Sequence, residues 1–234
     1  MAIGVIGAME EEIAHIRKEM DNVSQETKAG IVFTSGVWNG QNICLCKSGV
    51  GKVNASICTQ ILIDQFHASH IIFTGVAGAV DPALEIGDIV ISVDALHHDM
   101  DASSLGFKKG VIPFFDHSVF KADKKLHDLA LTAGKLVAGE EKVVAGRILS
   151  GDQFIASAEK VKELHEEFNG ACTEMEGAAV AQVCTMNGIP FVIIRSISDK
   201  ADGSANVNFQ EFVEKASRNS FQIVQQMVKN WPFI

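Results

Sequence analysis

The segment Asn187-Gly188-Ile189-Pro190-Phe191-Val192-Ile193-Ile194 decides the class of fold. Gly188 suits the left-handed position just after a helix C-terminus, and Pro190 cannot continue a helix. The apolar, mostly β-branched run after Pro190 is typical of a strand that is covered on both faces. A helix that ends immediately before a buried strand is the repeating unit of α/β proteins.

The same alternation of strands and helices extends along the rest of the chain. Strands are predicted at Ile3–Ala8, Ile31–Trp38, Asn42–Ser48, His70–Thr74, Asp88–Val93, Val143–Ser150 and Phe191–Ser196. Helices are predicted at Glu10–Glu19, Gly51–Phe66, Lys121–Leu136, Ser157–Phe168, Gly177–Asn187 and Asn208–Lys229. Asn39-Gly40 predicts a tight hairpin, which adds an antiparallel pair. We therefore expect a single three-layer α/β/α domain over residues 1–234, with a largely parallel or mixed sheet.

One long stretch, from about Asp94 to Phe120, shows no regular pattern. Stretches of this length in compact domains are usually binding loops, lids or interface arms. It contains His97-His98-Asp99, whose side chains could bind a metal, but their order fits no standard ligand spacing. A network of loop hydrogen bonds is the favoured interpretation, and no metal site is expected.

The composition excludes several classes of protein. The chain has 234 residues, 47% of them hydrophobic, and a formal net charge of −9. An acidic chain of this kind argues against binding nucleic acid or an anionic membrane, because such binding normally needs a basic patch. No apolar run is long enough to cross a bilayer, and the run Met1–Met9 lacks the features of a signal peptide.

The cysteines indicate a reducing compartment. They are odd in number and include no CxxC pair: Cys44, Cys46, Cys58, Cys172 and Cys184. With no export signal, they are expected to be buried thiols of a cytoplasmic protein rather than disulfides or zinc ligands. Cys44 and Cys46 alternate along a predicted strand, so both should face the core.

Three glycine-rich segments follow apolar strands, at residues 48–52, 74–79 and 150–152. Glycine lets backbone N–H groups approach a ligand closely. None of the three is a phosphate-binding P-loop or a dinucleotide-binding GxGxxG motif. Each could be an ordinary tight turn, but three in one chain favour a site for a small ligand.

Carboxylates also recur where predicted strands end. Glu12 follows the first strand, Glu176 precedes an Ala-rich helix, and Asp199 follows the last strand. Taken singly, each could be a helix-terminal acid or a cap. Ligands of α/β sheets bind beyond the carboxyl ends of strands, so we expect the three to share a crevice. Arg195 is a natural partner for one of them, and two acids in different environments can supply a proton donor and a proton acceptor. Glycosidic-bond hydrolysis uses such a pair.

Other nucleophile chemistry is not favoured. Ser196 and Ser198 have no GxSxG context and no histidine after them, which argues against a Ser-His-Asp hydrolase. Phe154, Phe209 and the methionines are core residues by default. Phe154 and Phe209 could instead stack on a base, because each lies in or after a polar stretch.

Five motifs together resemble a known family. They are Gly7-Ala8-Met9-Glu10-Glu11-Glu12, Ser48-Gly49-Val50-Gly51-Lys52, Ser150-Gly151-Asp152-Gln153-Phe154-Ile155, Glu174-Met175-Glu176 and Arg195-Ser196-Ile197-Ser198-Asp199. In this order, and over essentially the whole chain, they resemble the 5′-methylthioadenosine/S-adenosylhomocysteine nucleosidases of the purine nucleoside phosphorylase-like superfamily. The resemblance implies one α/β domain around a twisted, partly closed mixed sheet, assembled as a homodimer.

The same resemblance implies an activity and its catalytic residues. The reaction is hydrolysis of an N-glycosidic bond, which gives adenine and a 5-thioribose product without a metal or an organic cofactor. Asp199 would be the general acid toward purine N7, and Glu12 the base that activates water. Glu176 would bind ribose hydroxyls and stabilise the oxocarbenium-like sugar, with Met175 packed beneath the ribose.

The remaining roles in the binding site also follow from the resemblance. Phe154 would stack on adenine, and the backbone of Ile155 would read its Watson–Crick edge. Ser198 would hold Asp199, Arg195 would lie near the water-binding acids, and Gly78 would line the sugar region. The alkylthio and ribose pocket would include Met9, Val50 and Phe209.

Departures from the family pattern leave the substrate open. Val76 stands where many family members have a serine near the attacking water. A loop with Ala102, Leu105 and Pro113 corresponds to the segment that enters a neighbouring subunit's pocket. The 5′-deoxyadenosine and aminodeoxyfutalosine accepted by some family members are not excluded. A purine nucleoside phosphorylase and a non-catalytic nucleoside sensor are the competing functions.

Overall fold

The computed structural model describes residues 2–200 and 205–232, with side chains at 2–200 and 212–232. Ten strands in the described residues form one mixed sheet: β1 Ala2–Gly7, β2 Asp21–Lys28, β3 Ile31–Trp38, β4 Gln41–Lys47, β5 Ala68–Ala79, β6 Ile89–His97, β7 Phe120–Lys121, β8 Val143–Ser150, β9 Cys172–Glu174 and β10 Phe191–Asp199. The same part of the chain has the helices α1 Glu10–Glu19, α2 Lys52–Asp64, α3 Lys124–Ala138, α4 Ala158–Phe168, α5 Gly177–Asn187 and α6 Ala205–Lys229.

The sheet closes on itself at one end. Its strand order is β10-β6-β8-β9-β5-β1-β4-β3-β2, and β10 pairs with β5 as well as with β6. Five strands therefore form a ring, from which β1, β4, β3 and β2 extend as an open wing. The expectation of an α/β fold with a partly closed mixed sheet is confirmed.

Helices cover both faces of the sheet because its central strands are apolar on both sides. Along β5, Ile71 and Phe73 belong to one buried cluster and Ile72 to the other. Successive strand side chains point to opposite faces, so each cluster has its own helices. The first cluster includes residues of α2 and α5, and the second includes residues of α1, α3 and α6.

The predicted hairpin has the expected turn. Asn39 and Gly40 both have positive φ, 48° and 79°, and Trp38 pairs with Gln41. Two consecutive residues with positive φ match the right-handed twist of the two strands. Cys44 and Cys46, on the second strand, are both buried in the first cluster, as predicted.

One predicted turn is a strand. The glycine-rich segment 74–79 is the second half of β5, which pairs with β10 from Ile71–Phe191 to Gly78–Asp199. The hydrogen bonds of this long parallel pair outweigh the local preference of glycine for turns. β6 likewise continues to His97, four residues beyond its predicted end.

The sequence patterns missed three strands. β2 is polar and largely exposed, and it exists as an edge strand because it pairs with β3. β7 and β9 have two and three residues, too few to show a period of two. No helix in the described ranges is long and apolar enough to span a membrane.

The helix end at Gly188 offers a test of the segment that decides the fold. Gly188 has φ +66°, and its N–H donates to carbonyls of the last turn of α5. A Cβ there would meet nothing within 4 Å, so only the backbone conformation opposes a side chain. We expect Gly188→Ala to lower the free energy of unfolding in urea by about 1–2 kcal/mol.

Asparagine tolerates the left-handed region better than alanine. Gly188→Asn is therefore expected to lose less stability than Gly188→Ala in the same titration. Equal losses in the two variants would contradict the backbone explanation.

Candidate active site

Three junctions of the fold converge on one cavity of about 300 Å³. They are the β1–α1 turn, the β9–α5 turn and the last residues of β10. Of the residues that the sequence predicts for a site, those lining the cavity are Met9, Glu12, Val50, Gly78, Phe154, Ile155, Met175, Glu176, Ser198 and Asp199. The convergence follows from the topology, because β1, β5 and β10 are parallel neighbours.

Glu12, in the first turn of α1, is held by backbone N–H donors from the β1–α1 turn and from β5. Its Oε2 accepts hydrogen bonds from the N–H groups of Ala8 and Met9 at 2.6 and 2.9 Å, and its Oε1 accepts one from Val76 at 3.1 Å. Burial raises the pKa of Glu12, while the charge of Arg195 and these three N–H groups oppose the rise. The carboxyl group is therefore fixed in position and shifted toward proton uptake.

Gly75 leaves the space that Glu12 occupies. A Cβ on Gly75 would overlap Glu12 Oε1 and the guanidinium of Arg195. Both side chains can pass over the β5 backbone only because this residue has no side chain. This close approach is the structural role of a glycine that the sequence alone placed in a turn.

Glu174, which was not among the predicted site residues, is the partner of Arg195. Its carboxylate accepts hydrogen bonds from Arg195 Nη2 and Ser150 Oγ, and from the N–H of Gly177 at 2.8 and 2.9 Å. Arg195 is 1% exposed and lies 4.0 Å over the ring of Phe73. The repeat of glutamate at positions 174 and 176 was the available signal, but which of the two meets Arg195 depends on the turn into α5.

Glu176 is the N-cap residue of α5, and its Oε1 accepts a hydrogen bond from the N–H of Gly51 at 2.7 Å. Burial raises the pKa of Glu176 to about 8, and the negative charges of Glu174 and Glu12 add to the rise. Arg195 and the Gly51 N–H oppose it. The site thus holds the Glu176 carboxyl where its negative charge is unfavourable.

Asp199 is the last residue of β10 and is 3% exposed. The hydroxyl of Ser198 donates to Asp199 Oδ2 at 2.9 Å. A register shift between Ile197 and Asp199 places Asp199 opposite Gly78 of β5. The irregular pairing brings Ser198 and Asp199, which are consecutive, to the same cavity.

Apolar side chains complete the lining, and they are most exposed at Val50 and Phe154, each 50% exposed. Ala102, Leu105 and Pro113 do not line this cavity, and Leu105 is 69% exposed. Arg195 lies behind the lining, against Glu174. The side chain of Phe209 lies outside the described residues.

The fold and the site define a protein of the phosphorylase superfamily. The model of that superfamily matches residues 2–229. The match covers almost all of the residues that the structure describes.

Comparison with individual relatives identifies a narrower family within this superfamily. The chain is 42% identical over 230 residues to the 5′-methylthioadenosine/S-adenosylhomocysteine nucleosidase of Bacillus pumilus, covering 98% of this chain and 99% of the relative. It superposes with a TM-score of 0.93 on the corresponding nucleosidase of Neisseria meningitidis in complex with methylthio-immucillin-A, at 39% identity, 98% coverage of this chain and 99% of that chain. The native futalosine hydrolase of Helicobacter pylori strain 26695 has a TM-score of 0.91 at 36% identity, with 98% of each chain covered. The chain belongs to the 5′-methylthioadenosine/S-adenosylhomocysteine nucleosidase family.

The raised pKa of Glu176 predicts a pH dependence of stability. Its pKa is about 8 in the folded protein, against 4.5 for an ordinary glutamate. The folded state therefore holds this proton more tightly, and the stability gained from it is complete below pH 4.5 and lost as the pH rises through 8. We expect Glu176→Gln to remove this loss, which amounts to at most about 1.4 kcal/mol per pH unit.

Urea unfolding of both proteins between about pH 5 and 8.5, the range that spans most of the shift, measures the effect. The stability of Glu176→Gln relative to the native chain should increase steadily with pH across this range. Glu166→Gln, at an exposed position of α4, is the control and should give a flat difference. A flat difference for Glu176→Gln as well would show that Glu176 ionises normally.

Proposed function

We propose that this chain hydrolyses the N-glycosidic bond of 5′-methylthioadenosine and S-adenosylhomocysteine. The products would be adenine with 5-methylthioribose or S-ribosylhomocysteine, as in methionine salvage and methyl-cycle detoxification. The names of its relatives support the reaction, and the lining of the cavity supports water as the nucleophile. Glu12, Glu174, Glu176 and Asp199 face the cavity, and no described lining residue is a lysine, arginine or histidine.

This absence of cations among the described lining residues is the observation that carries the choice of hydrolysis. A phosphorylase must bind a phosphate dianion beside the sugar, and such sites use cationic side chains. Arg195, which lies behind the lining, is already paired with Glu174. A carboxylate-lined site instead attracts the positive charge that develops on a ribose ring as its bond to the base breaks.

In this proposal each acid has a different catalytic role, which is set by its position in the cavity. Asp199, held by Ser198, donates a proton to N7 of adenine and so improves the leaving group. Glu12 accepts a proton from the attacking water, because its raised pKa makes it a stronger base than an ordinary glutamate. Glu176 binds the ribose hydroxyls, while Glu174 neutralises Arg195. The positive charge that develops on the sugar favours the ionised form of Glu176, which in turn stabilises the cation-like sugar.

The apolar residues bind the two ends of the substrate. Phe154 stacks on adenine, and the backbone of Ile155 pairs with its edge. Met175 packs against the ribose, and Met9 and Val50 surround the alkylthio group. The role that the resemblance implies for Phe209 stays a prediction. Val76 donates its backbone N–H to Glu12, but its side chain has no hydroxyl that could hydrogen-bond the water. No cofactor takes part in these steps.

The substrate range extends in this proposal to 5′-deoxyadenosine, since it retains adenine and the ribose ring. The similarity to a futalosine hydrolase supports a wider range, because a relative with this fold is named for a different substrate. An aminodeoxyfutalosine is therefore the second substrate class to assay.

We further propose that the chain is one domain, a cytoplasmic homodimer in which each subunit completes the other's pocket. Ala102, Leu105 and Pro113 lie outside their own cavity, and Leu105 is exposed, as expected of residues that reach a neighbour. Val53 of α2 and Met186 of α5 add exposed apolar surface. The five cysteines are free and buried, which supports a reducing compartment.

The reaction type is tested by leaving phosphate out. We expect the chain to release adenine from 5′-methylthioadenosine in phosphate-free buffer at a rate that added phosphate does not raise, as followed by chromatography of adenine. Turnover that requires phosphate, with formation of a sugar 1-phosphate, would identify a phosphorylase instead. Binding of the nucleoside without release of adenine would identify a sensor.

The two proton-transfer roles are tested by isosteric amides. Glu12→Gln is expected to abolish turnover while retaining adenine binding by calorimetry, since the amide cannot accept a proton from water. Asp199→Asn should lower kcat by about 10²–10⁴-fold, the usual contribution of a positioned acid. Glu11→Gln, an exposed neighbour on the same helix, is the control and should be fully active. Near-normal turnover of either site variant would remove that residue from its role.

A further inference from the structure

A second charged cluster lies outside the cavity, where the end of β6 meets two loops. Asp99, two residues beyond β6, accepts hydrogen bonds from Lys52 Nζ to both carboxylate oxygens at 2.7 Å. The same carboxylate accepts the N–H of Asp152 at 3.0 Å. We call this group of three, Lys52, Asp99 and Asp152, the clasp.

The clasp joins the two loops that border the cavity. Lys52 begins α2 directly after the loop that carries Val50, and Asp152 begins the loop that carries Phe154 and Ile155. The loops are also tied directly, because the N–H of Lys52 donates to Asp152 Oδ1 at 2.8 Å. Asp99 is therefore the shared anchor of both loops.

One of these loops also holds Glu176. Gly51, next to Lys52, donates its N–H to Glu176 Oε1 at 2.7 Å. Gly51 has φ +99°, and because glycine adopts many backbone conformations readily, the residue itself does little to hold its N–H in this orientation. The salt bridge of the adjacent residue supplies the restraint that the glycine lacks.

The surroundings of Asp99 make it a rigid anchor. The preceding residue, His98, donates its N–H to the carbonyl of Ser150 at 2.9 Å, and a Cβ on Gly151 would lie 2.5 Å from the His98 ring. Although burial opposes it, hydrogen bonds from Lys52 and the Asp152 N–H lower the pKa of Asp99. The Lys52 and Asp99 side chains are only 21% and 15% exposed, so water screens the pair incompletely.

We propose that Asp99 is a positioning residue for the reaction, because its hold on Lys52 and Asp152 keeps the Gly51 N–H on Glu176 and keeps Val50 and Phe154 at the cavity. The kinetic consequence of this proposal rests on the proposed hydrolysis. Its structural consequence, the hydrogen bond from the Gly51 N–H to Glu176, does not depend on the proposed hydrolysis.

The test compares Asp99→Asn with a matched control, Asp94→Asn. Asp94 also forms a two-pronged ion pair, with Arg147 at 2.7 and 2.9 Å and side-chain exposures of 14% and 29%. Neither Asp94 nor Arg147 lines the cavity. Loss of a general structural ion pair should affect the two variants alike, whereas loss of positioning should affect only Asp99→Asn.

For adenine release we expect Asp99→Asn to lower kcat/KM about tenfold or more, the scale at which misplaced groups act, and Asp94→Asn to change it less than about twofold. Lys52→Met removes the other end of the salt bridge and should reproduce the loss. The double variant of Lys52 and Asp99 should be no worse than Asp99→Asn alone, because both substitutions break the same salt bridge. Equal effects of Asp99→Asn and Asp94→Asn, or additive effects at Lys52 and Asp99, would overturn the proposal.

A readout that needs no turnover separates this proposal from the proposed function. The groups that face Glu176 are Glu174, Glu12, Arg195 and the Gly51 N–H, and only the last depends on the clasp. The stability difference caused by Glu176→Gln levels off above the folded-state pKa of Glu176. In an Asp99→Asn background, the pH at which it levels off should therefore rise by about one unit. If the pH at which the difference levels off is unchanged, the proposed role of Asp99 is wrong even if the chain releases adenine. If that pH rises, the proposed role is supported even if no adenine is released.

Discussion

Burial of four carboxylates at one cavity, with Arg195 behind three of them, is the constraint on which this structure depends. Glu12, Glu174, Glu176 and Asp199 are each at most 8% exposed, and Arg195 is 1% exposed. Removing an ion from water costs several kcal/mol even after the protein relaxes. The cost is offset by the ion pair of Arg195 with Glu174 and by backbone N–H groups aimed at Glu12 and Glu176. The cluster is stable only while the turns that aim those N–H groups stay in place.

Most of the architecture serves that requirement. Closing the sheet between β5 and β10 brings Asp199 to the cavity and encloses Arg195. Gly75 allows Glu12 and Arg195 to cross β5 within contact of its backbone. Burial and the excess of negative charge raise the pKa of Glu176 to about 8, and burial raises that of Glu12 as well. The same excess of charge that destabilises the folded chain is what would stabilise a cation-like sugar, which is the trade between stability and function that active sites commonly show.

The clasp extends this dependence beyond the cavity. Its residues do not line the proposed substrate site, yet the loop it holds supplies a donor to Glu176. The histidine–aspartate run was interpreted as a loop hydrogen-bond network rather than a metal site, and Asp99 does make such a network. What the pattern could not show is the partner, because Lys52 lies 47 residues away in the chain.

Local sequence patterns were enough to locate the helices and most buried strands, since apolar periods and stop signals are local: α1 and α5 begin and end at the predicted residues. The sequence also pointed to three of the four acids that line the cavity, Glu12, Glu176 and Asp199, through motifs whose order matches one family, but not to Glu174. Long-range contacts were needed to make residues 74–79 a strand, to form β2, and to pair Arg195 with Glu174. These outcomes depend on hydrogen bonds and charges contributed by residues that are distant in the chain. A local sequence pattern carries no information about which distant residue will be the partner.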